Sequence, residues 1–244
     1  TFAIYHKEAG VPSDEDITRI EYFAHVASIA IERERADEII WRQANYDSLT
    51  GLANRHLMED NLSHALSSAD RLSTKVAVMF LDLDHFKDIN DTMGHGVGDE
   101  LLVQCARRIE RCVRQNDNVA RLGGDEFVII INNLHDVKNV ERVTHDLLSS
   151  LSKPLTIENE VIHTSASIGI TLYPDDAQDV SSLLKNADQA MFRVKASGRN
   201  SYEFYTESMR EAAVKRLGLL NDLRYATQND EFFIEYQPIV ALDS

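Results

Sequence analysis

The stretch VAVMFLDLD, residues 76–84, constrains the fold most. It is almost wholly apolar until it meets Asp82. A run of that kind suggests a central strand buried on both faces, so other elements must cover it above and below. The acids Asp82 and Asp84 stand at its end.

The segments around it alternate in type. YDSLTGLANRHL holds a turn at Thr50-Gly51, then a helix through Leu57, Met58, Leu62 and Leu66. HFKDINDTMGHGVGDE reads as a polar segment with three glycines, and ELLVQCARRIERCVR as a helix presenting Leu102, Ala106, Ile109 and Val113. DNVARL and FVIII flank Gly123-Gly124-Asp125 and predict a β-hairpin, because glycine supplies the positive φ of a tight turn. DVKNVERVTHDLLSSL is an amphipathic helix. VIHTSASIGITLYP alternates, with Ile162, Thr164, Ala166, Ile168, Ile170 and Leu172 on one face. VSSLLKNADQAMFRVK is a helix and SYEFY a short closing strand. Residues 76 to 172 thus run strand, helix, two strands, helix, strand. This is the βαββαβ order of a ferredoxin-like α+β domain with an antiparallel central sheet.

The flanks differ from this block. TFAIYHKEAG reads as a strand and turn, followed by one long helix over PSDEDITRIEYFAHVASIAIERERADEIIWRQA. Apolar residues recur at Ile17, Ile20, Ala24, Ala27 and Ile31, and a thinner stripe passes through Ile39, Ile40 and Trp41. Two readings stand open, a solvated connector and a dimerising helix. After Phe204 the chain begins again, with a helix over RLGLLNDLRYA and a strand over FFIEYQPIV.

Charge narrows the function. The net charge is −15, and such a field repels nucleic acid and anionic membranes. A phosphate ligand must then be held locally, by a metal, a helix N-terminus or a few cations. Cys105 and Cys112 lie seven apart on one predicted helix, about 10 Å along its axis, too far for a mutual disulfide. A reducing, cytoplasmic setting follows. No apolar run reaches membrane-span length and no signal-peptide pattern is present. Both chain ends read as cuts through larger elements, which leaves an anchor elsewhere in a parent protein open.

Asp82 closes the central strand, and Asp125 and Glu126 stand at the hairpin tip. An antiparallel sheet can bring these acids to one edge, where a hard cation such as Mg²⁺ would offset their repulsion. Singly, each motif reads as a strand end or a turn. A calcium loop fails, since Phe86 and Lys87 occupy positions that need an oxygen ligand and a glycine. Neither a dinucleotide fingerprint nor a Walker A sequence is present.

Together the motifs DSLTGLANR, FLDLDHFKDIND, GHGVGDELL, RLGGDEF, SIGIT and VKASGRN resemble the GGDEF domains, diguanylate cyclases that join two GTP into cyclic di-GMP. The resemblance covers roughly residues 45 to 205. It implies a nucleotidyl-cyclase-like fold and a set of roles. Asp82, the carbonyl of Leu83, and Asp125 would hold Mg²⁺ or Mn²⁺, with Asp125 where the attacking hydroxyl loses its proton and Glu126 in support. Asn90 and Asp99 would meet the guanine edge, and His95 falls on a substrate-contact position. The backbone amides near His85, Phe86 and Lys87 would open a helix beneath the phosphates, with Lys87, Lys195 and Arg199 supplying positive charge. Arg114 and Asp117 form the RxxD pattern of the family's inhibitory site for the product. A homodimer is implied, because each domain holds one GTP.

Read residue by residue, the bland alternatives are a basic helix end for Lys195 and Arg199, turns and caps for Asn90, His95 and Asp99, and a turn for Arg114 and Asp117. Residues 1–35 resemble the end of a GAF sensor domain, 36–45 a helical linker, 46–205 the cyclase domain, and 206–244 the start of an EAL phosphodiesterase domain. The competing functional reading is a non-catalytic nucleotide-binding module that regulates an adjacent EAL domain. A third is a dimerising relay fragment.

Overall fold

The computed structural model describes residues 13–209. The strand and turn expected over TFAIYHKEAG, and the helix and strand expected over RLGLLNDLRYA and FFIEYQPIV, lie outside the described residues.

Helix α1 (Asp14–Asn45) opens on a capping box, in which Ser13 and Asp16 bond each other's backbone N–H. None of its 32 residues is buried. Helix α2 (Arg55–Leu72) is capped by Asn54 and buries Met58, Leu62, Leu66 and Ala69. Strand β1 (Lys75–Asp84) follows, then helices α3 (Phe86–Met93) and α4 (His95–Cys112). The hairpin is β2 (Asn118–Gly123) and β3 (Glu126–Leu134). Helix α5 (Lys138–Leu151), the small strands β4 (Leu155–Ile157) and β5 (Glu160–Ile162), strand β6 (Ser165–Tyr173), helix α6 (Val180–Ala196) and strand β7 (Ser201–Phe204) complete the order.

The main sheet has the order β2-β3-β1-β6-β7. β1 lies at its centre, antiparallel to β3 and β6, and β7 joins β6 in parallel. This is the expected βαββαβ arrangement, extended by one α6–β7 unit. Period-two alternation sorts β1 into two cores. Ala77, Met79, Leu81 and Leu83 pack with Leu101, Leu102 and Ile109 of α4 and Val140, Val143 and Leu147 of α5. Val76, Val78 and Phe80 pack with Met58 and Leu62 of α2 and Leu183 and Ala187 of α6. Each fully buried Leu or Ile adds about 1.5–3 kcal/mol, so β1 is the stability axis of the domain.

Two readings from the residue pattern need correction. The polar segment after β1 is helical, as α3, which opens at Phe86 where the resemblance implies a helix, and the first turns of α4. Phe86 is buried there, and Ile89 and Met93 pack partly against the core at helical spacing. Polar neighbours hide that stripe in the sequence, and Gly94, at φ +88°, separates the two helices. The alternating run VIHTSASIGITLYP is not one strand either. Its first residues close a separate β4–β5 hairpin, with Leu155 opposite Ile162, and only Ser165–Tyr173 enters the main sheet. Within β6, Gly169 is needed for close packing: a Cβ there would stand 1.9 Å from the Ala187 carbonyl oxygen on α6. Among the described residues no helix is long and apolar enough to cross a membrane.

Candidate active site

The alternation that buries Val76, Val78 and Phe80 against α2 and α6 continues to Asp82 and Asp84. Both acids therefore point to the same side of the sheet as these apolar residues. Asp82 is 6% exposed and stands opposite Glu126 in the β1–β3 register. Asp125 is in the turn just beyond, and its carbonyl accepts the Leu83 N–H at 3.3 Å. The strand end and the hairpin tip, which the sequence could only suggest as neighbours, are thus joined by sheet pairing.

A cation from α6 pairs with one of these acids. Lys195 Nζ, from the last turn of α6, lies 2.7 Å from Asp82 Oδ2. Burial is the main cause that pushes Asp82 up to about 6; the Lys195 ammonium opposes it, and the charges of Asp125 and Asp84 add to it. Glu126 is also raised, first by burial and then by Asp188 and Asp125, against Arg55 and Lys195. Carboxylates held this way favour a nearby positive charge.

That donor set fits a divalent ion of the magnesium type. Among the described residues no three acidic, imidazole or thiol side chains gather into a cage. Mg²⁺ does not need one, since it takes one or two carboxylates and leaves its other positions to water and phosphate. Asp82 stands at this edge with Asp125 in the adjoining turn, and Asp82 already accepts a cation.

The other expected residues surround this edge. Helix α3 starts at Phe86, after His85 in a left-handed conformation, and no side chain caps it. Its first amides, with Lys87 exposed beside them, are free for an anion. Asn90, within this short helix, has a buried Oδ1 without a hydrogen-bond partner. A Cβ on Gly98 would lie 1.9 Å from that oxygen, so a side chain there would push the Asn90 amide out of this position. His95 and Asp99 are exposed on the first turns of α4. Arg199 is exposed in the loop after α6, at φ +62°.

Arg114 and Asp117 are in the link between α4 and β2, away from the carboxylates. Asp117 accepts the N–H groups of Arg114 (3.0 Å) and Asn132 (3.1 Å), so it fastens a turn. Arg114 is exposed and, with Asp117, Glu110 and Tyr46, lines a cavity of about 330 Å³.

Two residues with structural weight carry no task in the sequence reading. Arg121, one-tenth exposed, donates to the Gly124 carbonyl at 3.0 and 2.8 Å and to both oxygens of Asp47 at 2.9 and 3.1 Å. It ties the signature turn to the residue that follows the cap of α1. Burial disfavours the charge on Asp47, but hydrogen bonds from Thr50 and Arg121 outweigh it and hold the carboxyl below its usual range. The other is Asp84, whose signal, alternation with Asp82, was present in FLDLD.

Comparison with known proteins adds the family. The family described as "Diguanylate cyclase, GGDEF domain" matches residues 44–201. The bifunctional diguanylate cyclase/cyclic di-GMP phosphodiesterase MucR of Pseudomonas aeruginosa is 42% identical over 217 residues, covering 89% of this chain and 32% of MucR. The cyclic di-GMP phosphodiesterase NbdA of the same organism is 35% identical over 224 residues, covering 92% of this chain and 28% of NbdA. The chain therefore spans about a third of the length of these relatives. Among solved structures, the coiled coil and GGDEF domain of DgcB from Caulobacter crescentus, in complex with c-di-GMP, superposes with a TM-score of 0.67 at 29% identity, covering 76% of this chain and 98% of that one.

Proposed function

The chain belongs to the GGDEF family of diguanylate cyclases, and from that premise we propose that it condenses two GTP into cyclic di-GMP. The observation that carries the reading is the pairing of Asp82 with Glu126, with Asp125 at the adjoining turn and a cation already on Asp82.

In this reading Asp82, Asp125 and the Leu83 carbonyl hold Mg²⁺ or Mn²⁺. A bound divalent ion lowers the pKa of the attacking hydroxyl and offsets charge on the phosphates. The chain's own residues do the rest. Asn90 offers its unpartnered Oδ1 to the guanine edge, with Asp99 and His95 beside it. The α3 amides, Lys87, Lys195 and Arg199 hold the triphosphate. Asp125 takes the proton of the 3′-hydroxyl, which attacks the α-phosphate of the GTP on a second domain and expels pyrophosphate. Most of the acceleration is positioning and electrostatics.

Two domains must face each other. Support comes from α1, where Ile29, Ile39, Ile40 and Trp41 are all exposed, and from the coiled coil of the DgcB relative. Product inhibition at Arg114 and Asp117 is part of the proposal, and the cavity between them supports it. So are a cytoplasmic location, where GTP is available, and flanking GAF and EAL domains in a parent protein, which rest on sequence resemblance alone.

A second reading has a specific basis, since NbdA is named only as a phosphodiesterase. In it the domain binds nucleotide and regulates a neighbour. One experiment separates the two: incubation of the chain with GTP and Mg²⁺, assayed for cyclic di-GMP and pyrophosphate. Formation of both, abolished by Asp125→Asn, supports catalysis. GTP binding with no product at high protein concentration supports the module.

A further inference from the structure

Asp84 is the acid that the proposed reaction leaves unused. It is 2% exposed. A carboxylate so deeply placed is costly unless donors surround it, and here three do. Ser165 Oγ and Ser167 Oγ on the adjacent strand β6 donate at 2.5 and 2.7 Å, and the Asn200 N–H donates at 3.1 Å. The Thr164 hydroxyl donates to the Asp84 carbonyl at 3.2 Å.

The Asn200 bond reaches out of the sheet into the loop after α6. Gly198, Arg199 and Asn200 stand in succession at φ +119°, +62° and +46°. Glycine and asparagine tolerate positive φ, but arginine does so only where its surroundings fix the backbone. Two bonds fix it here: Arg199 N–H to the Val194 carbonyl at 3.1 Å, and Asn200 N–H to Asp84. Asp82 and Asp84, alternate residues of one strand, thus grip the end of α6 at two points. The first takes the Lys195 side chain, and the second takes the backbone just beyond Arg199.

We propose that Asp84 is a positioning residue for the triphosphate: by holding Asn200 it fixes the loop that presents Arg199 to the phosphates. The proposal rests on the nucleotide reading above. It predicts an effect on phosphate recognition and little on the guanine, whose expected contacts are on α3 and α4.

The test is calorimetric titration of the full chain in Mg²⁺ with GTP, supplied as its α,β-methylene analogue so that no pyrophosphate can leave, and with GMP, for wild type, Asp84→Ala, Asp84→Asn, Ser165→Ala, Arg199→Ala and the Asp84→Ala/Arg199→Ala pair. Asp84→Ala should weaken GTP relative to GMP by about tenfold or more, the size of a lost hydrogen bond to a charged group. The double variant should lose little beyond Arg199→Ala, because the two act through one contact. Asp84→Asn should recover most of the loss, since its amide oxygen still accepts the Asn200 N–H and the Ser167 hydroxyl can turn to accept. Equal loss of GTP and GMP, additive effects in the double variant, or an Asn variant as weak as Ala each overturn the proposal. If Asp84→Ala does not fold, Ser165→Ala decides, with a smaller GTP-selective loss expected and an unchanged GTP/GMP ratio fatal. A wild type that binds neither nucleotide sinks the nucleotide reading itself. A wild type that binds GTP, with its selectivity intact in every folded variant, sinks only the role of Asp84.

Discussion

Strand β1 and helix α1 both carry many apolar side chains, with opposite outcomes. Nine of the ten β1 residues are buried, whereas none of the 32 in α1 is. β1 has a strand on each side and helices on both faces. α1 is tied to the rest of the described domain near its C-terminal end, where Asn54 donates to the Ala44 and Asn45 carbonyls. An apolar residue stabilises a fold only where something covers it. β1 therefore carries stability and, at its end, the acids of the proposed chemistry, while α1 leaves apolar side chains such as Ile39, Ile40 and Trp41 exposed.

The largest expected effect breaks the two halves of β1 apart. Asp82→Asn should lower turnover by about 10²-fold or more while leaving the circular-dichroism spectrum unchanged, because it removes a charge that burial already disfavours. Turnover within a few-fold of wild type removes Asp82 from the site. Inside the same strand, Leu81→Ala opens a cavity in a fully buried position and should cost about 2–5 kcal/mol in denaturant unfolding. A loss below about 1 kcal/mol would show that β1 is not the stability axis.

Smaller effects sharpen the contrast. Gly169→Ala forces a Cβ against the α6 backbone and should cost about 1–3 kcal/mol, read from the same unfolding curves. Arg121→Gln probes the tie between the two regions by pH. Asp47 is depressed in the fold, so its stabilisation is complete above the ordinary aspartate range and is lost as pH falls through the depressed value. The stability gap between wild type and Arg121→Gln should then narrow on acidification; a gap that widens contradicts the linkage. At the small end, Ile40→Ser on α1 should change stability by no more than about 0.5 kcal/mol, yet shift the protein concentration at which activity appears. Unchanged concentration dependence would detach α1 from assembly.

Much of this was legible in the chain. Val76 to Leu83 announce a central strand through unbroken apolarity, and Gly123-Gly124 announce the hairpin, because both signals are local. The helices α3 and α4 were partly hidden, since Phe86, Ile89 and Met93 are a sparse stripe among polar neighbours. The β4–β5 hairpin was hidden for the opposite reason, as Ile162 continues the alternation of β6 and nothing local marks the break. Asn90 could be named as a candidate, but its dependence on Gly98 could not, because that is a contact between two helices. Asp84 alternates with Asp82 in plain view, yet only Ser165, Ser167 and Asn200 give it a task.

The sequence by itself determined most element types, the two-faced burial of β1 and the residue types at the site, because periodicity and motif spacing act over a few neighbouring residues. Only the tertiary structure decided that Asp82 stands opposite Glu126, that Lys195 reaches it from α6, and that Arg121 joins Asp47 to Gly124. Those contacts join segments far apart in the chain. Strand register and helix packing fix them, and no local pattern encodes which distant partner a charged side chain will meet.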